Sequence, residues 1–178
     1  MPTKMSIEIE YEWKPVINDE GQRYLFPMKL EEFKREFRSY YNFPAIYRWI
    51  IRKNRKIVAV YIGEAKYIGR RIHYYLNPEP SQQTNKRLNS LFHECISAGL
   101  RIELELLDVY KLKIHEHELS PLDLTSKHLR LLLENLIIEI HRQEGYVLLN
   151  KDVNGIVPKD CTELLLENEI NSNRNLEV

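Results

Sequence analysis

Cysteine is nearly absent from this chain, with only Cys95 and Cys161 among 178 residues. Their spacing matches no metal-binding or redox motif, and two residues build no disulfide framework, so both are expected as reduced thiols in a cytoplasmic protein. No apolar run approaches membrane-spanning length. The N-terminus lacks the charged-then-apolar order of a secretion signal, so no membrane partner is expected. Net charge is missing too, since 26 Lys and Arg balance 26 Asp and Glu. That argues against a uniformly basic nucleic-acid binder but leaves room for a locally basic surface. What remains, 43% apolar and 29% charged residues, suits a folded domain of ordinary size with elaborations.

The most informative stretch is 45–75, AIYRWIIRKNRKIVAVYIGEAKYIGRRIHYY. Two β-branched and aromatic segments, 45–51 and 56–63, flank the polar RKNRK, which is the pattern of a hairpin. Gly63 is expected to end the second strand. Ile68, Ile72 and Leu76 then recur at helical spacing. Arg71 and Tyr75 stand four residues apart on that helix and share a face. Cations crowd here: Arg48, Arg52, Lys53, Arg55, Lys56, Lys66, Arg70 and Arg71 against Glu64 alone. Such a run either binds phosphates or forms a solvated turn and helix face.

Before this stretch, Ile7, Ile9, Tyr11 and Trp13 alternate with Glu8, Glu10 and Glu12, a strand with one buried face. Residues 30–41 carry Leu30, Phe33, Phe37 and Tyr40 at helical spacing, a stripe better suited to packing on a sheet than to entering DNA. After it, 77–81 is a proline-containing loop, 84–98 a helix stopped by Gly99, and 101–110 an alternating third strand. The segment 113–122 contains His115-Glu116-His117-Glu118. This is not the spacing that sets two histidines one helical turn apart, and it reads as a solvated loop. A long helix is expected over 121–143, capped by Asp123 or Thr125. Glu134 interrupts its apolar face, where a charge is unusual unless paired or metal-bound; Glu139 is the rival position. A tail with one helical run, 162–170, and a polar end expected to be mobile follows residue 150.

In order, Ala45-Ile46-Tyr47, Tyr61-Ile62-Gly63, Arg71, Tyr75, Glu134 and Asn150 resemble the GIY-YIG nuclease domain. Each triplet alone is ordinary strand sequence, whereas the ordered set is specific. Two positions depart from the family pattern. Ala45 stands where glycine is usual, and Glu64 follows the second triplet where polar or basic residues are common. An acid there favours a protonated phenol.

The resemblance implies an α+β fold over 44–150, with a three-stranded antiparallel sheet flanked by helices. An N-terminal strand-and-helix extension (1–43) would pack on it, and a short tail (151–178) would follow. It also implies a Mg²⁺-dependent endonuclease, with Mn²⁺ as substitute, acting on DNA. Restriction-type cleavage is the leading role. The alternatives are structure-directed incision in repair or recombination, since EAK and LLLENLI resemble the excision-repair incision domain, and a non-catalytic nucleic-acid-binding module of the same fold. Carried over residue by residue, Glu134 is the metal ligand, and Tyr47, Tyr61, Arg71 and Tyr75 are the other catalytic residues. Arg70, Lys66, Arg52, Lys53, Arg55, Lys56 and Asn150 face the substrate. A free tyrosine has a pKa of about 10, so a tyrosine base needs cationic neighbours or a metal; Tyr47 is the expected base, with Arg71 and Arg70 as the cations. Cutting both strands of a palindrome implies a homodimer or successive nicking.

Overall fold

The computed structural model describes residues 4–33, 42–120, 122–151, 157, 158 and 160–174, the side chains of 171–174 excepted. Strands β1 (Ile7–Pro15), β2 (Ala45–Lys53), β3 (Lys56–Ala65) and β4 (Arg101–Ile114) form one antiparallel sheet in the order β1-β4-β2-β3, and β5 (His117–Glu118) pairs with β4. Helices α1 (Leu30–Phe33), α2 (Ile68–Leu76), α3 (Gln83–Ser97), α4 (Lys127–Gln143) and α5 (Cys161–Arg174) accompany it. The class is the α+β arrangement expected, but the sheet has five strands rather than three. The cause is the length of β4, 14 residues. One edge takes β2 along Arg101 to Leu106, and the other takes β1 from Glu105 to Ile114. The N-terminal strand is thus part of the sheet itself.

Several boundaries move for local reasons. Gly63 does not end β3, which runs to Ala65. The segment expected as a loop over 113–122 instead continues β4 and turns at His115, whose φ is 57°, into β5. Its His115, Glu116, His117 and Glu118 are all exposed. Ser126, not Asp123 or Thr125, caps α4 by accepting from the Leu129 amide at 3.4 Å. Asp123 instead accepts from the Thr125 amide at 2.9 Å and closes its own turn. Of the helix expected over 30–41, Leu30–Phe33 is seen, and 34–41 lie outside the described residues. No helix among the described residues is long and apolar enough to cross a membrane.

Alternation along the strands gives the sheet two buried faces. On one, Tyr47, Trp49, Ile51, Ala59 and Tyr61 pack with Ile72 and Tyr75 of α2, Leu88 and Phe92 of α3 and Leu164 of α5. Cys95 and Cys161 meet there as free, buried thiols, a contact their separation in sequence did not show. On the other face, Ile46, Ile62, Leu107 and Leu112 meet Leu133 and Ile137 of α4. That face also takes in cations counted above as surface. Arg48 donates Nε and Nη2 to Glu105 at 2.9 and 2.7 Å and Nη1 to His141 Nε2 at 2.8 Å. An arginine has no acceptor, so His141 is neutral with its proton on Nδ1. Burial and the Arg48 charge lower its pKa to about 4. Arg52 donates to the buried Glu103 at 3.0 Å.

Candidate active site at the β3 edge

The site is built around β3, which lies at one edge of the sheet. Register sets Tyr47 opposite Gly63 and Trp49 opposite Tyr61, so both tyrosines lie on one face. A Cβ on Gly63 would stand 2.4 Å from Tyr47 Oη. Only glycine leaves the phenol its place. Helix α2 then lays Arg71 and Tyr75 over the same face. Arg71 Nε donates to Tyr47 Oη at 3.0 Å, the Tyr47 and Tyr75 hydroxyls are 2.7 Å apart, and the guanidinium sits 5.4 Å from the Tyr75 ring centre. Tyr61 meets Tyr75 edge-on at 6.1 Å. Tyr47, Tyr61, Arg71 and Tyr75 therefore form one cluster.

Burial, followed by Tyr61, pushes the Tyr47 pKa well up, and the opposing pull of Arg71 and Tyr75 is too small to reverse it. Burial also raises Tyr75, with Tyr47 and Tyr61 adding to the rise. Both phenols are protonated at neutral pH. The expectation that cations draw Tyr47 down is thereby corrected, because desolvation of the buried phenolate outweighs one arginine. Arg70 is not the second cation: its Nε donates to Tyr74 Oη at 2.7 Å, and its guanidinium lies over the Tyr74 ring.

The outer edge of β3 has its own sequence of partners. Val60 exchanges backbone hydrogen bonds with Val147 and Leu149 at 2.9 and 2.8 Å. Two residues on, the Asn150 side chain takes over: Oδ1 accepts from the Ile62 amide at 2.9 Å, and Nδ2 donates to the Ile62 carbonyl at 2.7 Å. Both ends of that amide are engaged, so Asn150 secures the strand. Two residues further, the Glu64 backbone lies near the carboxylate of Glu134 and favours its charged form.

Glu134 comes from α4, packed on the opposite face of the sheet, and feels the charges of Glu64 and Arg71. Burial, then Glu64, lift its carboxyl to about 7, opposed by Arg71 and by the Glu64 backbone. Its rival Glu139 is exposed and bonded to Arg142 and Gln143. Sequence reasoning missed Arg130. Four residues before Glu134 and so on the same helix face, it donates Nε to Glu64 Oε2 at 2.6 Å. Its Nη1 donates to the carbonyls of Leu124 and Thr125 at 2.7 and 2.9 Å. Glu64 therefore turns to the α4 side, away from Tyr47. The four-residue spacing of Arg130 and Glu134 was the available signal.

A cleft of about 220 Å³ opens here, lined by Glu64, Ala65, Lys66, Tyr67, Arg70, Arg71 and Tyr74. It gathers Lys66 and Arg70 with Arg71, and the Lys66 ammonium lies 5.3 Å from the Tyr67 ring centre. Tyr67 and Tyr74 were not foreseen. The hairpin turn is not brought to the cleft. Its Lys53, Arg55 and Lys56 are exposed, and the strand rise puts Lys56 about 23 Å from Gly63.

Among the described residues no group of three or more His, Cys, Asp or Glu side chains stands ready to hold a metal. The carboxylate at the edge fits a hard cation such as Mg²⁺, which accepts one or two carboxylates and keeps water on its other positions. A carboxylate whose charge burial disfavours is stabilised by such a cation. Compared with protein-family models, with curated proteins and with solved structures, the chain matches none.

Proposed function

We propose that the chain is a metal-dependent endonuclease of the GIY-YIG kind, hydrolysing DNA phosphodiester bonds in a restriction-type role. The observation that carries this reading is a meeting across one strand edge. Arg71, tethered to the Tyr47–Tyr75 pair, stands within electrostatic reach of Glu134, beside a cleft that also holds Lys66 and Arg70.

Hydrolysis needs an activated water, stabilisation of charge on the phosphate and help for the leaving 3′-oxygen. Arg71 supplies the second. Fixed through Nε, its guanidinium keeps its terminal N–H groups for bidentate pairing with a phosphate. Tyr47 works as a neutral phenol, the hydrogen-bond acceptor that aims Arg71, and Tyr75 braces it. A proton-accepting role for Tyr47 requires positive charge at the phenol beyond that of Arg71. Glu134 would hold the cation. When bound, Mg²⁺, with Mn²⁺ as substitute, would supply a water of lowered pKa, whose proton passes to solvent, and would neutralise charge on the phosphate and on the leaving 3′-oxygen. Lys66 and Arg70 hold the flanking phosphates.

Supercoiled plasmid tests the reading. Cleavage with Mg²⁺ into discrete fragments, abolished by EDTA, is the expected result, and Glu134→Gln is expected to keep DNA binding while losing cleavage. Cutting confined to branched or flapped DNA would turn the reading to repair or recombination incision. Binding without cutting under any divalent cation would leave a non-catalytic module. If Glu139→Gln abolishes cutting and Glu134→Gln does not, the metal carboxylate has been misassigned. Cleavage of both strands at one palindrome would call for a homodimer or successive nicking.

A further inference from the structure

Glu64 is the one acid within 45–75, and it stands against the proposed metal carboxylate. An unpaired negative charge there would add to that of Glu134, compete with it for Arg71 and repel an incoming phosphate. We infer that Arg130 is the positioning and charge-compensating residue of this site. It pins Glu64 and cancels its charge, so that the β3 edge offers a cation one net carboxylate charge at a fixed place. Its consequence for cleavage rests on the nuclease reading; its consequence for metal binding does not.

Three observations support the inference. Arg130 is only 3% exposed, so water does little to solvate its charge. Its charged partner is Glu64 at 2.6 Å, while Leu124 and Thr125 contribute neutral carbonyls. A buried guanidinium in this position demands its carboxylate. Second, Glu64 stands on β3 and its side chain takes Arg130 from α4, so the ion pair ties that strand edge to the helix that carries Glu134. Third, Arg130 and Glu134 lie four residues apart on α4 and so share a face, which sets the ion pair beside the proposed metal carboxylate.

The test is calorimetric titration of Mn²⁺ into the DNA-free full-length protein, comparing wild type with Arg130→Gln, Glu64→Gln and the double variant. DNA binding in EDTA and cleavage at saturating metal are measured in parallel. Arg130→Gln frees a unit negative charge beside the cation and is expected to tighten Mn²⁺ binding roughly tenfold. Cleavage should nevertheless fall, since the freed Glu64 charge competes for Arg71 and repels the phosphate. Glu64→Gln leaves an uncompensated cation and is expected to weaken Mn²⁺ binding, again roughly tenfold. In the double variant two amides keep a hydrogen bond without charge, and affinity should return to within about threefold of wild type. Loss of packing cannot give shifts of opposite sign.

Single-variant shifts in the same direction, or a double variant that fails to recover, overturn the inference. Should Arg130→Gln prove unfolded by circular dichroism, the weakening in Glu64→Gln and its recovery in the double variant decide alone. The expected metal pattern in a protein that cuts no DNA would sustain the inference and sink the nuclease reading. Cleavage by wild type with metal affinity unchanged across the variants would do the reverse, and a wild type that binds no Mn²⁺ removes both.

Discussion

Arg70 and Arg71 are chain neighbours, and helical geometry throws their side chains about 100° apart. Arg71 lands on the Tyr47 hydroxyl and Arg70 on that of Tyr74. Arg71→Ala is expected to lower single-turnover cleavage by roughly 100- to 1,000-fold, as loss of a comparable electrostatic donor does, with a smaller effect on binding. Arg70→Ala should mainly weaken binding, and a larger cleavage loss from it would end the assignment. Glu134 adds a pH dependence. Its carboxyl binds a proton more tightly in the folded state, at about 7, than at its ordinary 4.5. The stability it contributes is full below 4.5 and is lost as pH rises through about 7. His141, lowered from 6.5 to about 4, has the opposite sign: its contribution is full above 6.5 and is lost as pH falls through 4. Melting temperatures of metal-free wild type and Glu134→Gln, compared between pH 5 and 8, isolate the first effect, and wild type should lose ground to the variant as pH rises. The pairing of Arg71 with Tyr75 was legible because helical spacing alone dictates it. The raised Tyr47 pKa was not, because burial is imposed by α2 and by the neighbouring strand β3, which the fold brings to Tyr47 from further along the chain.

Strand β3 explains why Asn150 and Glu134 sit where they do. Its residues 60, 62 and 64 turn their backbone polar groups outward, and an unpaired edge invites pairing with another chain. A parallel bridge covers Val60, and a side-chain amide imitates the next backbone unit at Ile62, while the Glu134 carboxylate lies near the backbone at Glu64. Asn150→Ala removes both bonds to Ile62, whose groups are inside, and should cost about 1–3 kcal/mol in urea unfolding. Asn150→Asp keeps the acceptor but loses the donor and adds charge near Glu64, so it should be no better. Metal-dependent cleavage should fall with stability rather than ahead of it, and an unfolding midpoint unchanged by Asn150→Ala would return this residue to the substrate. At this scale the hairpin, the α2 stripe and the long helix were readable from periodicity and from the polar RKNRK. The five-strand count was not. Alternation announces a strand but says nothing of its neighbour, and β1 finds β4 from the far end of the chain.

Across the whole molecule the balanced net charge conceals a division of the cations. Arg48 and Arg52 turn inward to Glu105 and Glu103, which leaves the other cations of 45–75 in two basic places on the surface. One is the cleft, with Lys66, Arg70 and Arg71; the other is the hairpin turn, with Lys53, Arg55 and Lys56. At a rise of about 3.4 Å per base pair, the roughly 23 Å between them corresponds to about seven base pairs of duplex. A duplex anchored in the cleft thus reaches the turn only if it continues that far from the scissile phosphate. Replacing Lys53, Arg55 and Lys56 with glutamine should lower the dependence of log affinity on log salt by about 2 to 3 units on a long duplex, at roughly 0.9 per phosphate contact. On a duplex ending four base pairs from the cut it should change little, because the turn then has nothing to hold. The loss should be the same for every sequence, since phosphate contacts carry no base information. A salt slope unchanged on the long duplex would make the turn a solvated connection and leave DNA held by the cleft.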